Sequence, residues 1–354
     1  MIVGVTKIAK QANISKGIVS RYLNADPKLK IKPETMARID KAKRLFDSVR
    51  VEKNVEPLLV GNFVIPINAT LRNISMAEII NTFGIKPLEQ VLEKSGFSVS
   101  IIFVDDNNKE KTINRLIKRS SFCNGIIFLT AMANKELAKI VLDNNIPHVS
   151  IDPHDETLGL NTVLAHSILG IRQAIEHLVD LGHKNIGYIG KKGFYRCTRF
   201  FTAMLESGLQ FSDELNIYLA EKSENNLDIN WRDIAADGFL SMYDESSATT
   251  AYICQDDKIA FGVMDAMRGM GLVPGKDISL VGYNNIGKHG VYYGDNSVLT
   301  TIDNPTEIIG KRCGEILIGQ VSHKQMDIIH EYIPAPLVIR KTTDVFQNNR
   351  KLNI

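Results

Sequence analysis

Cysteine is scarce. The 354 residues hold four, at positions 123, 197, 254 and 313, and none forms a C-x-x-C pair. That spacing excludes a disulfide scaffold and a clustered zinc site, and it suits a reducing compartment. Long apolar runs are also missing. No stretch of 18 or more apolar residues exists to form a transmembrane helix. The opening Met1-Ile2-Val3-Gly4-Val5-Thr6-Lys7 lacks the basic region and long apolar core of a secretory signal. The expectation is a cytoplasmic protein with no membrane partner. Hydrolase motifs are absent: there is no G-x-S-x-G elbow and no H-E-x-x-H. One phosphate-loop pattern nearly forms, Gly282-Tyr283-Asn284-Asn285-Ile286-Gly287-Lys288-His289. It has histidine where magnesium binding needs serine or threonine, and Gly290 and Gly294 oppose an immediate helix. No enzyme activity, metal or cofactor is expected.

What is present is an ordinary globular composition, 44% hydrophobic and 23% charged, long enough for two or three domains with real cores. The net charge of +2 conceals a dipole. Residues 1–53 carry thirteen Lys/Arg against five Asp/Glu, a formal +8, which leaves −6 for the rest of the chain. A basic front module on a mildly acidic body suggests a polyanionic partner for the module alone. Read from charge only, a solvated helical surface serves equally well.

Local patterns sharpen this. Ile8, Ala9 and Ala12 share one face of a first helix. Asn13-Ile14-Ser15 breaks it: asparagine tolerates a left-handed turn, and Ser15 can cap a second helix, Lys16 to Leu23. Ile18, Val19 and Tyr22 or Leu23 form the buried side of that helix. Pro33 fits the first turn of a third helix, whose face is Met36, Ile39 and Leu45. Two helices joined by so short a turn form a helix-turn-helix, the second helix of which enters the DNA major groove. Lys16 and Gly17 then open the recognition helix. Arg21, one turn on, can bind a guanine through O6 and N7. Ser15 and Ser20 suit phosphate oxygens, and Lys16 suits either a phosphate or a base. Gly17 has no side chain to offer, and either stays silent or lets the backbone approach closely.

The run from Ile8-Ala9-Lys10-Gln11-Ala12 through Val19-Ser20-Arg21-Tyr22-Leu23-Asn24 resembles the headpiece of the lactose/galactose-repressor (LacI/GalR) family, D-V-A-x-x-A-G-V-S-x-x-T-V-S-R-x-L-N. The following Asp26-Pro27-Lys28-Leu29-Lys30-Ile31-Lys32-Pro33-Glu34-Thr35 is similar to the Gram-positive galactose-repressor branch. The resemblance implies that Thr6, Ser15, Lys16, Gly17, Ser20, Arg21 and Asn24 face DNA. Where the family has a capping threonine, Gly4 stands, and Thr6 is expected to cap a shortened first helix instead. The family's P-N-x-x-A-R-x-L hinge has no match in Asp47 to Pro57. Residues 47–57 therefore read as a polar linker without a minor-groove wedge.

Beyond the linker, strand and helix patterns alternate. Strands are expected at 58–65, 98–104, 125–130 and 148–151, with helices at 83–94, 107–119 and 135–144. A second round follows, with helices at 167–181, 197–208, 231–243 and 257–270 and strands at 185–189, 217–220, 250–254 and 278–281. Two such rounds predict two doubly wound parallel sheets with a ligand cleft at their carboxyl ends.

The resemblance extends here. Leu181-Gly182-His183-Lys184-Asn185-Ile186 looks like the family's L-G-H-x-x-I, and Cys254-Gln255-Asp256-Asp257-Lys258-Ile259-Ala260-Phe261-Gly262 looks like C-x-N-D-x-x-A-x-G. Val273-Pro274 through Val281-Gly282-Tyr283 looks like V-P-x-D-x-x-V-x-G-[FY], and Leu299-Thr300-Thr301-Ile302 and Pro336-Leu337-Val338-Ile339-Arg340 match later blocks. Together these imply an all-α helix-turn-helix headpiece (1–46), the linker (47–57), an α/β periplasmic-binding-protein-like core of two doubly wound lobes (58–340) and a polar tail (341–354). They also imply a homodimer whose face lies near 83–94 and 260–270, and an effector cleft for a sugar or sugar phosphate. Effector positions carried over are Asp152, Arg196 (with Arg199 in place of the family's glycine), Asp257 and Asn284, with Asn68 and Asp233 from nearby loops. For Asp257, helix capping is the competing role. His183 is expected to be structural. The function implied is a DNA-binding repressor of carbohydrate genes gated by a small molecule. A stand-alone sugar-binding module and a sugar-active enzyme are the alternatives.

Overall fold

The computed structural model describes residues 2–24, 26, 29–40, 42, 61–69, 76–118, 123–219, 230–244, 249–290, 295–323 and 327–346. The expected linker 47–57, Leu45 of the third helix and the tail beyond 346 lie outside them. The chain divides into two compact units at Leu58/Leu59.

The first unit contains α1 (Ile2–Ala12), α2 (Lys16–Leu23) and α3 (residues 33–40 and 42). Asn13 turns the chain at φ 50, and the Ile14 amide reaches back to the Ala9 carbonyl at 3.0 Å. Ser15 caps α2 by accepting from the Ile18 amide at 3.4 Å. Ile8, Ala9, Ala12, Val19 and Ile39 form the small core. Arg38 ties α3 to the end of α1 by donating to the Ala12 carbonyl at 2.6 Å. One expectation fails: Thr6 does not cap α1. The helix begins at Ile2, so Thr6 lies inside it and points to solvent. Val5 and Ile8 continue the apolar spacing upstream, and the helix runs through Thr6.

The second unit has two lobes, each built on a six-stranded sheet. In the first lobe β1 (Gly61–Asn68), β2 (Phe97–Val104), β3 (Gly125–Leu129), β4 (His148–Ile151), β5 (Thr162–His166) and β11 (His330–Pro334) lie in the order β11-β5-β4-β3-β1-β2. Every pairing in that sheet is parallel. In the second lobe the order is β12-β10-β9-β8-β6-β7. Its strands are β6 (Ile186–Gly190), β7 (Ile217–Tyr218), β8 (Ala251–Cys254), β9 (Ser279–Asn284), β10 (Thr300–Asp303) and β12 (Leu337–Val338), with β12 alone antiparallel. Strands such as β3 are buried at every residue, as befits sheets covered on both faces by helices.

The covering helices are α4 (Met76–Thr82), α5 (Ile85–Lys94), α6 (Lys109–Lys118), α7 (Lys135–Asp143), α8 (Ser167–Asp180), α9 (Tyr195–Glu206), α10 (Trp231–Met242), α11 (Asp257–Gly269) and α12 (Thr306–His323). The expected helix over 83–94 begins two residues later, at Ile85, and α4 is a further helix before it. Gly84 takes φ 65 between α4 and α5, where an added Cβ would stand 2.1 Å from the Thr306 carbonyl oxygen of α12. Among the described residues, three connections cross between lobes: β5 to α8, β10 to α12, and β11 to β12. Strands β5, β10, β11 and β12 and helix α12 join the expected elements. The short strands β10 and β11 are rich in threonine, histidine and glutamate, so no apolar run marks them, and the crossing chain places them.

Residues 341–346 are not a tail. Thr342 is buried between β9 and β10, accepting from the Thr300 amide at 2.9 Å and donating to the Leu280 carbonyl at 2.7 Å. The Phe346 amide bonds the Leu181 carbonyl at 2.8 Å. His183, buried, pins this segment: its ring reaches Thr250 Oγ1 at 2.8 Å and the Asp344 carbonyl at 3.1 Å. The stretches assigned to a dimer face hide their apolar sides within the chain. Ile259 to Met264 of α11 are buried, and α5 exposes Lys86, Glu89, Gln90, Glu93 and Lys94.

Candidate functional site

Two surfaces bring expected residues together, one in each unit. On the small unit, α2 buries Val19 completely and turns its other side outward. Ser15, Lys16, Gly17, Arg21 and Asn24 are exposed and Ser20 is half-buried. Thr6 is exposed on α1. Among the described residues, nothing lies within 4 Å of a Cβ built on Gly17. Arg21 Nε pairs with Asp26 Oδ2 at 2.7 Å. Tyr22, facing the core side, donates to Asp40 at 3.0 Å, and that bond raises its phenol pKa.

In the large unit a cavity of about 460 Å³ opens between the lobes. Lobe one supplies the carboxyl ends of β1 and β3, including Asn68 and Thr130, with Phe83, Asp106 and Lys109 beside them. Lobe two supplies Trp231 at the start of α10, Asp256 and Lys258 at the start of α11, and Asn284 at the end of β9. Asn284 holds φ 103 and Thr130 holds φ 46, left-handed backbone at the strand ends facing the cavity. Lys109 pairs with Asp106 at 3.1 Å, and Asn68 donates to the same aspartate.

Asn284 connects this cavity to a second cluster. Arg196, in the first turn of α9, donates to Asn284 Oδ1 at 3.2 Å and to the Gln255 carbonyl at 3.1 Å. Its guanidinium stacks 3.9 Å above the Tyr283 ring. Burial works against its charge, but Tyr195, Tyr283 and Asp152 around it raise its pKa and keep it protonated. Across the lobe boundary, Asp152 accepts from Tyr195 Oη at 2.8 Å and lies 3.9 Å from Arg196 Nη2. Burial and the Asp152 carboxylate hold the Tyr195 phenol protonated, its pKa well above the ordinary value. A second lobe-crossing link joins Arg199 to Glu156 at 2.9 Å. The cleft side of the unit is therefore a set of lobe-spanning polar bonds beside an aromatic-lined cavity. It suits a small, hydroxyl-rich molecule held by donors and acceptors from both lobes.

Asn68, Asp152, Arg196 and Asn284 thus gather at the cleft. Two expected residues do not. Asp233 is exposed on α10, accepting from Asn230 Nδ2 at 2.8 Å, and does not line the cavity. Asp257 is turned into its own lobe and is 2% exposed. Its Oδ1 accepts from Thr301 Oγ1 at 2.6 Å and its Oδ2 from the Ile286 amide at 2.8 Å. Burial pushes its carboxyl pKa up to about 7, against the pull of those two donors. An added Cβ on Gly282 would meet Asp257 Oδ1 at 2.2 Å, so glycine makes room for this carboxylate. Nor does Asp257 cap α11; Asp256 does, accepting from the Ile259 amide at 3.0 Å, and Asp256 also faces the cavity. In an Asp-Asp pair at a strand-to-helix turn, the capping member stays at the strand end and the next rolls beneath the helix. That geometry was the available signal for Asp256. Trp231 had a weaker one, as the chain's single tryptophan at a helix start. Lys109 and Phe83 carried none.

The profile of a periplasmic-binding-protein-like domain matches residues 175–343. The HTH-type transcriptional regulator RegA of Clostridium saccharobutylicum is 23% identical over 353 residues, covering 97% of this chain and 100% of its own length. Among solved structures, a transcriptional regulator CelR–cellobiose complex superposes with a TM-score of 0.66 at 16% identity, over 96% of this chain and 99% of that one. The lac repressor dimer bound to operator and the anti-inducer ONPF gives 0.64 at 20% identity, over 95% and 98%. Relatives that align end to end are HTH-type transcriptional regulators, and the two-lobed fold with its N-terminal helix-turn-helix is the fold of LacI-family regulators, which this chain resembles over nearly its whole length.

Proposed function

We propose that this protein is a sequence-specific DNA-binding repressor of carbohydrate-metabolism genes, controlled by a sugar or sugar phosphate held between its two lobes. The observation that carries this reading is the α2 surface. A +8 segment buries one side of a short helix and exposes Ser15, Lys16, Gly17 and Arg21 on the other. Such a helix can enter a major groove, with Arg21 reading a guanine and Ser15, Ser20 and Lys16 holding phosphates. The likeness to a regulator in complex with cellobiose supports a sugar in the cleft, and the likeness to a repressor dimer bound to operator supports a homodimer on double-stranded DNA. Two-fold pairing sets two recognition helices about 34 Å apart in successive major grooves. The face near α5 is charged, so pairing there uses polar contacts. Asn68, Asp152, Arg196, Asp256 and Asn284 contact the effector. Because Asp152 and Arg196 stand on different lobes, a ligand competing for their bonds binds two lobe arrangements unequally, which is the requirement for gating. The cell compartment in this reading is the cytoplasm.

A mobility-shift assay on the promoter region upstream of its own gene, at moderate ionic strength and with and without sugars and sugar phosphates, tests the reading. We expect sequence-specific retardation that one of these compounds changes. Sequence-blind attachment only, or turnover of a sugar without DNA binding, overturns it.

A further inference from the structure

We propose that Asp26 is a positioning residue for DNA recognition. It holds the Arg21 guanidinium by Nε, so that the two terminal amino groups form a fixed fork for a guanine, and its charge discourages Arg21 from settling on phosphate. The inference rests on the DNA-reading role proposed for α2. A guanine edge offers two acceptors side by side, O6 and N7, and an arginine satisfies both only when its planar fork is aligned. Arg21 has a side chain 51% exposed at the end of α2, and an arginine so placed samples many rotamers. The 2.7 Å bond to Asp26 Oδ2 uses Nε, not the terminal amino groups that reach a base end-on.

Asp26 is itself anchored. Its amide donates to the Arg21 carbonyl at 3.0 Å, and its own carbonyl accepts from the Leu29 amide at 3.0 Å. Ile31, two residues on from Leu29, packs against the core of the unit. The carboxylate is thus carried at a set position beside the last turn of the recognition helix. An exposed ion pair of this kind contributes little to folding stability, so its main consequence falls on what Arg21 does when DNA arrives. The charge acts in the same direction. Bases outnumber acids thirteen to five in residues 1–53, and non-specific attachment through phosphates competes with reading. A carboxylate beside the reading arginine repels phosphate more than it repels a guanine edge, so it widens the ratio of specific to non-specific binding.

The test uses the full chain. A preferred duplex is selected from a random pool, and the guanine read by Arg21 is identified as the position where Arg21→Ala loses discrimination. Affinities for this duplex, for one with adenine at that position and for an arbitrary duplex are then measured for Asp26→Ala, Asp26→Asn, Arg21→Ala and the double variant. Asp26→Ala is expected to lower the guanine-over-adenine ratio about five- to tenfold and to raise affinity for the arbitrary duplex. Asp26→Asn keeps an oxygen for Nε, so it recovers most of the ratio but not the low non-specific affinity. With Arg21 already removed, Asp26→Ala leaves the ratio unchanged. Equal weakening on all duplexes, an unchanged ratio, or an effect that persists without Arg21 overturns the inference. If the unaltered chain selects no sequence at all, the proposed function fails, and this inference with it.

Discussion

On the α2 face of the small unit, Lys16, Gly17 and Arg21 stand in solvent, and Arg21 pairs with Asp26 at the surface. In the cleft of the large unit, Asp152 and Arg196 are each more than nine-tenths buried, Asp152 accepting from Tyr195 and Arg196 donating to Asn284 Oδ1 and the Gln255 carbonyl. The first surface is open and charged; it suits a polyanion, whose attraction is long-ranged and screened by salt. The second is desolvated and directional, and it suits a small, hydroxyl-rich molecule. There, removing one partner leaves another buried group unsatisfied.

Ionic strength should separate the two surfaces most. Operator affinity is expected to fall on the order of a thousandfold between 50 and 200 mM salt, if about six phosphates are engaged. Effector affinity, followed by titration calorimetry over the same range, should change little. A cleft that loses affinity as steeply would mean that its ligand binds chiefly by charge. Substitution comes next. Arg21→Ala should cost about 1–3 kcal/mol of operator affinity and relax selectivity at one base pair, with the melting temperature unchanged. Asp257→Ala should act on folding. It strands the Ile286 amide and the Thr301 hydroxyl, and urea titration should register a loss of about 2–4 kcal/mol. If the Asp257→Ala protein keeps its stability and loses only effector binding, the division between cleft and lobe interior drawn here is wrong.

Asp256→Asn provides the matched contrast. Asparagine caps a helix as well as aspartate does, so stability should hold while affinity for the best sugar found by thermal shift falls severalfold, about 1 kcal/mol. A further test concerns pH. The carboxyl pKa of Asp257 is about 7 in the folded chain, against about 3.9 in an unfolded one. An acid with a raised folded pKa contributes stability that is complete below the unfolded value and is lost as pH rises through the folded one. Stability should therefore decline between about pH 4 and pH 7 on account of this group. In Asp257→Asn the Thr301 hydroxyl can turn to accept from the amide, and this part of the decline should vanish. Denaturant midpoints at several pH values, compared between the two proteins, would detect it.

The two surfaces also differ in how legible they were along the chain. The α2 face is contiguous: from Asn13 to Asn24, turn, cap and exposed positions follow one another within a dozen residues. Local rules for capping and helical periodicity therefore sufficed to find it, and the expected bounds Lys16 to Leu23 coincide with the observed helix. Thr6 was misread because a missing cap suggested a late start, whereas apolar spacing carried the helix back to Ile2. The cleft draws on residues from 66 to 286, and only the packing of the two lobes decides which of them converge on it.

Short-range information along the chain was enough for the helix-turn-helix, for the alternation of strands and helices, and for two parallel sheets, because each depends on periodicities of two or of 3.6 residues within a single element. Packing decided the rest. The crossings at β5, β10 and β11 join the lobes, the 341–346 segment closes against β9 and β10, and Asp257 rolls inward where Gly282 leaves space. Those outcomes turn on which side chains meet across tens or hundreds of residues, and a buried carboxylate goes where its donors are.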